Sequence, residues 1–303
     1  MLRNFIISLI NYVFNNNLFI NLKTTKFKNL EYNYDFSNIS FEDTAALNKI
    51  LLSNKYFKKN YRELTDFQYH TFNWLFNAKK IGGSEIINLA KKHIFVWSKK
   101  KYSLNSFVWK DDLVAKRLIN LIYAYDYYAV SATKSERYLL SKIIHKHYFV
   151  LKTQENIVLK KNNSRIEISK ALFLFESIHK ISTKKTIDNI IFKVDRHVNE
   201  NGMHNSMNPS VHIEYLNHLF EIKNMFLFFK FEIPKMIELK INEMSMVLKN
   251  LFHKDNTIAF FNGSNDANYE AMSKLNKKII DVKPKNLSNI KNGIAIFESK
   301  KLK

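Results

Sequence analysis

The segment at residues 199–220, NENGMHNSMNPSVHIEYLNHLF, concentrates side chains that can transfer a proton. It holds one of only five glycines in the chain, Gly202, and one of only three prolines, Pro209. A glycine permits positive φ, and a proline at the start of a helix sets the direction in which the chain enters it. We therefore predict a loop that directs His204, and with it His212, toward one place. The alternative is a plain interhelical loop with solvated histidines.

A second polar segment, KNNSRIEISKALFLF, begins at residue 161 and leads into an apolar helical pattern. Its first residues include Asn162, Asn163 and Arg165. Amide and guanidinium groups donate hydrogen bonds, and guanidinium pairs well with carboxylates. These three side chains are therefore candidates for holding an acidic ligand.

Five segments, in this order, resemble the heparinase II/III-like family, whose members include heparin, heparan and alginate lyases. They are YHTFNWLFNA, VWKDDLVAKRLINLI, the two segments above (the asparagine pair preceding the histidine loop), and LFHKDNTIAFFNGSND. The resemblance runs from about residue 45 to residue 303. It implies an all-α fold, an incomplete (α/α) toroid of helical hairpins. It also implies that NGIAIFESKK, near the C-terminus, is the first strand of a truncated β-sandwich domain.

The family's reaction is β-elimination on uronic-acid polysaccharides. This reaction needs a group that neutralises the carboxylate, a base for the C5 proton and an acid for the departing oxygen. By resemblance, the neutralising groups are Asn162 and Asn163, with Arg165 beside them. His204 or His212 is then the base.

The chain departs from the family's pattern at two places that matter for this chemistry. Ser164 stands where the family has a histidine, and Val211 stands where it has the catalytic tyrosine. Tyr215 lies four residues further on, on the same helical face as Val211. We therefore expect Tyr215 to be the acid in a displaced position, and we expect little or no activity from the chain alone. The alternative is a non-catalytic polysaccharide-binding protein of surface polysaccharide metabolism.

Three further residues are substrate-binding candidates because they lie in segments that resemble the family. They are His70, Trp74 and Arg117. Aromatic and histidine side chains at helical spacing are also typical of a helical core, so a structural role is the alternative for His70 and Trp74.

Apolar residues recur at the three-to-four spacing of amphipathic helices along most of the chain. The predicted helices are 44–57, 65–83, 84–100, 111–131, 135–157, 165–181, 184–198, 211–229 and 234–253. The predicted domains are an N-terminal helix with an extended lead-in at 1–43, the toroid at 44–270, and a linker with the start of the sandwich at 271–303.

The net charge of +21 comes almost entirely from lysine. DNA-reading proteins favour arginine for its two-pronged hydrogen bonding, and no nucleic-acid motif occurs here. We expect an acidic polysaccharide as the partner rather than a nucleic acid.

The chain has no cysteine and no P-loop, GxGxxG or HExxH motif, so we predict no cofactor and no metal. We also predict no transmembrane segment, and no export signal is recognisable at the N-terminus.

Overall fold

The structure is a computed structural model that describes residues 36, 67–100, 102, 106–157, 165–253, 257–259, 261–264, 275–279 and 281–284. Of these residues, 72% are α-helical and none belongs to a β-strand longer than an isolated bridge. The fold class is therefore all-α, as the sequence predicts. The predicted helix at 44–57, the C-terminal strand and the domain boundaries at residues 43 and 270 lie outside the described residues.

The described residues form two compact units that divide between Thr183 and Lys184. The first unit contains α1 (Phe67–Thr71), α2 (Trp74–Ile81), α3 (Ser84–Lys99), a 3-10 turn (Phe107–Trp109), α4 (Asp111–Tyr123), α5 (Tyr125–Tyr128), α6 (Lys134–Ile157) and α7 (Ile166–Ile178). The second unit contains α8 (Lys184–His197), α9 (Pro209–Phe228) and α10 (Lys235–Leu251). No helix among the described residues is long and apolar enough to cross a membrane.

The first unit is built around α7, whose thirteen residues are all buried. A helix that is buried on every side, even with Glu and Lys among its residues, lies in the middle of a helical layer. Helix α7 packs against α4 and α6, and α4 and α6 pack against each other. These three helices form the core of the unit.

In the second unit, α10 packs against both α8 and α9. Helix α9 begins at Pro209, and the side chain of Asn208 caps it by accepting a hydrogen bond from the N–H of Val211 at 3.1 Å. The missing N–H of a proline costs little in the first helical turn. The predicted role of Pro209 at a helix start is therefore confirmed.

Two predicted helices are interrupted in the structure. The helix predicted at 65–83 breaks after Thr71, where Phe72 has a φ of 63° and is fully buried. The helix predicted at 111–131 ends at Tyr123, and Ala124 separates it from the short α5.

The start predicted at Ser135 also moves slightly, because Thr133 is the residue that caps α6. The hydroxyl of Thr133 accepts from the N–H of Glu136 at 3.2 Å, and the Glu136 carboxylate accepts from the N–H of Thr133 at 2.7 Å. This reciprocal pair is a capping box.

Candidate active site

The predicted loop between α8 and α9 is a tight turn with an isolated antiparallel bridge between Val198 and His204. The N–H of Asn199 donates to the carbonyl of Met203 at 2.9 Å. The side-chain oxygen of Asn199 accepts from the N–H groups of Asn201 and Met203, both at 3.0 Å. The asparagine side chain therefore holds the turn closed, as asparagine commonly does in turns.

Gly202 is at the tip of this turn, with a φ of 84°. A Cβ at this position would lie 2.7 Å from the carbonyl oxygen of Glu243 on α10. The glycine is therefore needed for two reasons, its left-handed backbone and the close approach of α10. This arrangement presses the loop against α10 and fixes the position of His204.

His212, in the first turn of α9, is fully buried, and both of its ring nitrogens have backbone partners. Nδ1 accepts from the N–H of His204 at 3.2 Å, and Nε2 is 3.0 Å from the carbonyl oxygen of Met244. Because Nδ1 accepts, the proton is on Nε2, which donates to Met244. Burial lowers the pKa of His212 to about 4, with a smaller contribution from His204. His212 thus ties the loop to α10 as a neutral ring, and its role as a base stays a prediction that requires one of these bonds to open.

His204 is half-buried and is the more accessible of the two histidines. Its Nδ1 accepts from the N–H of Ser206 at 3.1 Å and lies 2.9 Å from the Ser206 hydroxyl. The neutral ring therefore carries its proton on Nε2. Burial, followed by the neighbouring His197, lowers the pKa of His204 to about 4. At neutral pH the side chain is an uncharged N–H donor.

Tyr215 and His204 are brought together, with ring centroids 5.0 Å apart. A third ring completes the group: His197, the last residue of α8, lies 5.6 Å from Tyr215 and 5.9 Å from His204. We call His197, His204 and Tyr215 the imidazole–phenol cluster. Sequence reasoning missed His197, although its place across the Gly202 turn from His204 was an available signal.

The residues predicted to hold the carboxylate are only partly described. Asn162 and Asn163 lie outside the described residues, so their convergence with the cluster stays a prediction. Arg165 immediately precedes α7, and its exposed guanidinium pairs with the Asp112 carboxylate at 2.9 Å. An exposed ion pair of this kind is weak, so a ligand carboxylate can compete for this arginine.

Arg117 lies fully buried in the first unit and uses its donors on protein groups. Nε donates to Nε2 of His147 at 2.6 Å, and the terminal nitrogens donate to the carbonyls of His70 at 2.6 Å and Val108 at 3.0 Å. The guanidinium carbon stands 4.3 Å from the ring centroid of Trp97. Burial lowers the pKa of Arg117 to about 9. Direct contact of Arg117 with a sugar stays a prediction. In the structure the Arg117 side chain connects α1 and the 3-10 turn to α4.

His70 and Trp74 are also buried, with 3% and 6% of their surface exposed. Nδ1 of His70 accepts from the indole N–H of Trp97 at 3.0 Å, and the Trp74 indole N–H donates to the carbonyl of Tyr69 at 3.3 Å. Both side chains support the core around α1 and α2. Their predicted contact with substrate is not visible in this arrangement and stays a prediction.

The fold resembles that of solved polysaccharide lyases. The heparan sulfate lyase HepC from Pedobacter heparinus matches with a TM-score of 0.58 at 14% identity, over 93% of this chain and 49% of the lyase. A mutant of HepC gives a TM-score of 0.57 at 15% identity, over the same shares of the two chains. A protein named heparinase III gives 0.55 at 18% identity, over 87% of this chain and 48% of its own.

The chain has the helical fold of these lyases. This likeness confirms the predicted all-α toroid class, and at such low identity it establishes the fold alone. The chain spans about half the length of the lyases that it matches. No protein-family model matches the sequence, and no curated protein matches it.

Within this lyase fold, the structure groups the predicted residues by unit. His204, His212 and Tyr215 lie together in the second unit, and His70 and Arg117 lie together in the first. The cluster of the second unit contains two half-buried imidazoles and a buried phenol, and imidazole and phenol are side chains suited to proton transfer near neutral pH.

Proposed function

We propose that this chain is a lyase-type domain that binds uronic-acid polysaccharide and supports its cleavage by β-elimination. The observation that carries the proposal is the fold shared with heparan sulfate lyases over 93% of the chain. The imidazole–phenol cluster supports it, because it supplies groups that exchange protons at the place where the sequence resembles the family's site.

In β-elimination a base removes the proton at C5, the electron pair forms the C4–C5 double bond, and the C4–O4 bond breaks as O4 takes a proton. The predicted holders of the carboxylate, Asn162, Asn163 and Arg165, belong to the first unit, and their role in stabilising the developing negative charge stays a prediction from the sequence. The Nε2–H of His204 donates a hydrogen bond to the substrate. Tyr215 and His197, the other two rings of the cluster, then remove the C5 proton and protonate O4.

The same geometry gives a reason for slow turnover. The position that aligns with the family's phenol is Val211, and Tyr215 lies one helical turn, roughly 5–6 Å, further along α9. A general acid or base contributes about 10²–10⁴-fold to a rate when it is well placed. A displaced phenol forfeits most of that factor, so we expect only a trace of product.

A second function, binding without catalysis, is favoured by one observation. Both ring nitrogens of His212 are committed to backbone groups, and Val211 cannot transfer a proton. Binding needs only a cleft with donors and positive charge, and the chain retains both kinds of group.

The test is incubation of the purified chain with heparan sulfate, heparin and alginate. The ultraviolet-absorbing 4,5-unsaturated product and the binding isotherm are measured on the same samples. We expect binding and a trace of product that Tyr215→Phe removes and Val211→Tyr increases. Tyr138→Phe is the matched control, because Tyr138 is an exposed tyrosine on α6. Binding with no product supports the second function, and absence of both contradicts the proposal.

A further inference from the structure

Two cations share the indole of Trp109 in the first unit. The Lys146 amine lies 5.0 Å from the ring centroid, and the Arg117 guanidinium carbon lies 5.3 Å from it. Trp109 itself is 4% exposed, whereas Lys146 is half-buried at the edge of this group. Cations are attracted to the negative face of an indole, which explains their position but leaves their charge unbalanced.

No carboxylate among the described residues pairs with Arg117 or Lys146. The hydrogen-bond acceptors of Arg117 are two carbonyls and the neutral ring of His147, none of which carries a charge. Lys152, on the same helix as Lys146, does have a carboxylate partner, Glu176, at 2.7 Å. The charge around Trp109 is therefore a local excess rather than a general feature of α6.

A third positive charge, Lys142, lies one helical turn before Lys146. The pKa of Lys146 is lowered, first by burial and then by the charges of Arg117 and Lys142. Each of these effects disfavours the ammonium form of Lys146. A bound anion would reverse the charge repulsion.

The indole of Trp109 adds a donor of its own. Its N–H is buried, and no acceptor in the described part of the chain lies within hydrogen-bond distance. The carbonyl of Trp109, in contrast, accepts from the Gln154 amide at 3.0 Å. The group therefore offers positive charge and an unused donor, which complement a ligand that carries negative charge and acceptors.

We infer that Lys146 and Trp109 form an anion-binding subsite that takes a sulfate or carboxylate group of an acidic saccharide. Lys146 contacts the anion, and the buried Arg117 contributes at longer range. The identification of the ligand as a saccharide rests on the proposed function. Binding of an anion does not depend on it.

The experiment measures the affinity of the whole chain, at low ionic strength, for three oligosaccharides of equal length. The heparin oligosaccharide carries sulfate and uronate, the alginate oligosaccharide carries uronate alone, and the dextran sulfate oligosaccharide carries sulfate alone. The variants are Lys146→Ala, Lys146→Gln and the conservative Lys146→Arg. Lys134→Ala is the matched control, because Lys134 is an exposed lysine in the first turn of the same helix.

We expect Lys146→Ala and Lys146→Gln to weaken binding of the preferred anion about 10-fold, as for one lost charge-assisted hydrogen bond. Lys146→Arg should retain most of the affinity, and Lys134→Ala should stay within about 2-fold of the unmodified chain. The ε-CH₂ NMR signals of Lys146 should shift on saturation with the ligand. If Lys146→Ala weakens binding of heparin and dextran sulfate but not of alginate, the anion is sulfate. If it weakens binding of heparin and alginate but not of dextran sulfate, the anion is carboxylate.

The outcomes separate this inference from the proposed function. If acidic saccharides bind and Lys146→Ala loses no more affinity than Lys134→Ala, the subsite is wrong and the proposed function stands. If dextran sulfate binds through Lys146 while alginate does not bind and neither heparin nor alginate is cleaved, the subsite stands and the uronate function is contradicted. If none of the three binds, both are overturned.

Discussion

The backbone N–H of His204 donates to Nδ1 of His212 at 3.2 Å, so a hydrogen bond joins the half-buried histidine of the loop to the fully buried histidine of α9. The opposite nitrogen of His212 meets the carbonyl of Met244 on α10. One buried imidazole thereby joins a loop and two helices. The position of the imidazole–phenol cluster depends on this bridge.

Replacing His212 by phenylalanine removes both hydrogen bonds and leaves two buried backbone groups without this partner. We expect the free energy of unfolding to fall by about 1–3 kcal/mol, the cost of unsatisfied buried polar groups. Urea denaturation followed by circular dichroism measures it. His253→Phe, at an exposed histidine of the same unit, is the control and should change stability by about 0.5 kcal/mol or less. Equal effects of the two variants would contradict the bridging role.

Two glycines with the same φ of 84° allow backbone strain to be separated from steric clash. A Cβ added at Gly83 would have no other atom within 4 Å, whereas one added at Gly202 would lie 2.7 Å from the Glu243 carbonyl oxygen. We expect Gly83→Ala to cost about 1 kcal/mol from the left-handed backbone alone. Gly202→Ala should cost on the order of 3 kcal/mol, because α10 or the loop must also move. Similar losses in chemical denaturation would show that the loop and α10 are not in close contact.

Arg117→Lys should be severely destabilising although it conserves charge. An ammonium cannot replace the planar fork that reaches His147 and two carbonyls, so we expect a loss of about 3 kcal/mol or more. Arg165→Lys is the comparison on the surface, where 57% of the side chain is exposed, and it should cost under about 1 kcal/mol. Thermal unfolding measured by tryptophan fluorescence reports on both variants, because Trp74, Trp97 and Trp109 all lie in the first unit. An unaltered melting temperature for Arg117→Lys is the result that contradicts this role.

The first unit should lose stability as the pH falls from about 6.5 toward 4. Burial lowers the pKa values of His93 and His145 to about 4, so the unfolded chain takes up protons before the folded chain does. Stability is therefore present above pH 6.5 and decreases below it, by about 1–2 kcal/mol for each of these histidines between pH 7 and pH 5. Tryptophan fluorescence during urea denaturation at several pH values tests this, and His93→Gln should reduce the slope. A stability that stays constant between pH 7 and pH 5 contradicts it.

Helix positions were accessible from the sequence because apolar periodicity dictates them, and most bounds agree within a few residues. The break at Phe72 was not accessible. It depends on Asn120, forty-nine residues after Thr71, whose amide donates to the Thr71 carbonyl at 2.9 Å and also reaches the side chain of Asn73. No local sequence pattern predicts a buried phenylalanine with positive φ.

The candidate site shows the same division between local and long-range information. The turn at Gly202 and the helix start at Pro209 are local features, and the sequence predicts both. The hydrogen bond between Nε2 of His212 and the backbone carbonyl of Met244 joins residues thirty-two positions apart, so it could not be predicted from the segment itself. His197 differs in this respect, because it lies only seven residues before His204, across a local turn that the sequence predicts.

The most direct test of the account is an NMR titration of the histidine ring signals with a short uronic-acid oligosaccharide, using a neutral dextran oligosaccharide of equal length as the control. If the imidazole–phenol cluster lies in the binding site, the signals of His197 and His204 shift and saturate with the acidic ligand alone. The buried His93, in the first unit, serves as the internal reference and stays unchanged. Saturable binding that leaves His197 and His204 unshifted, or no binding of the acidic oligosaccharide at all, contradicts the account.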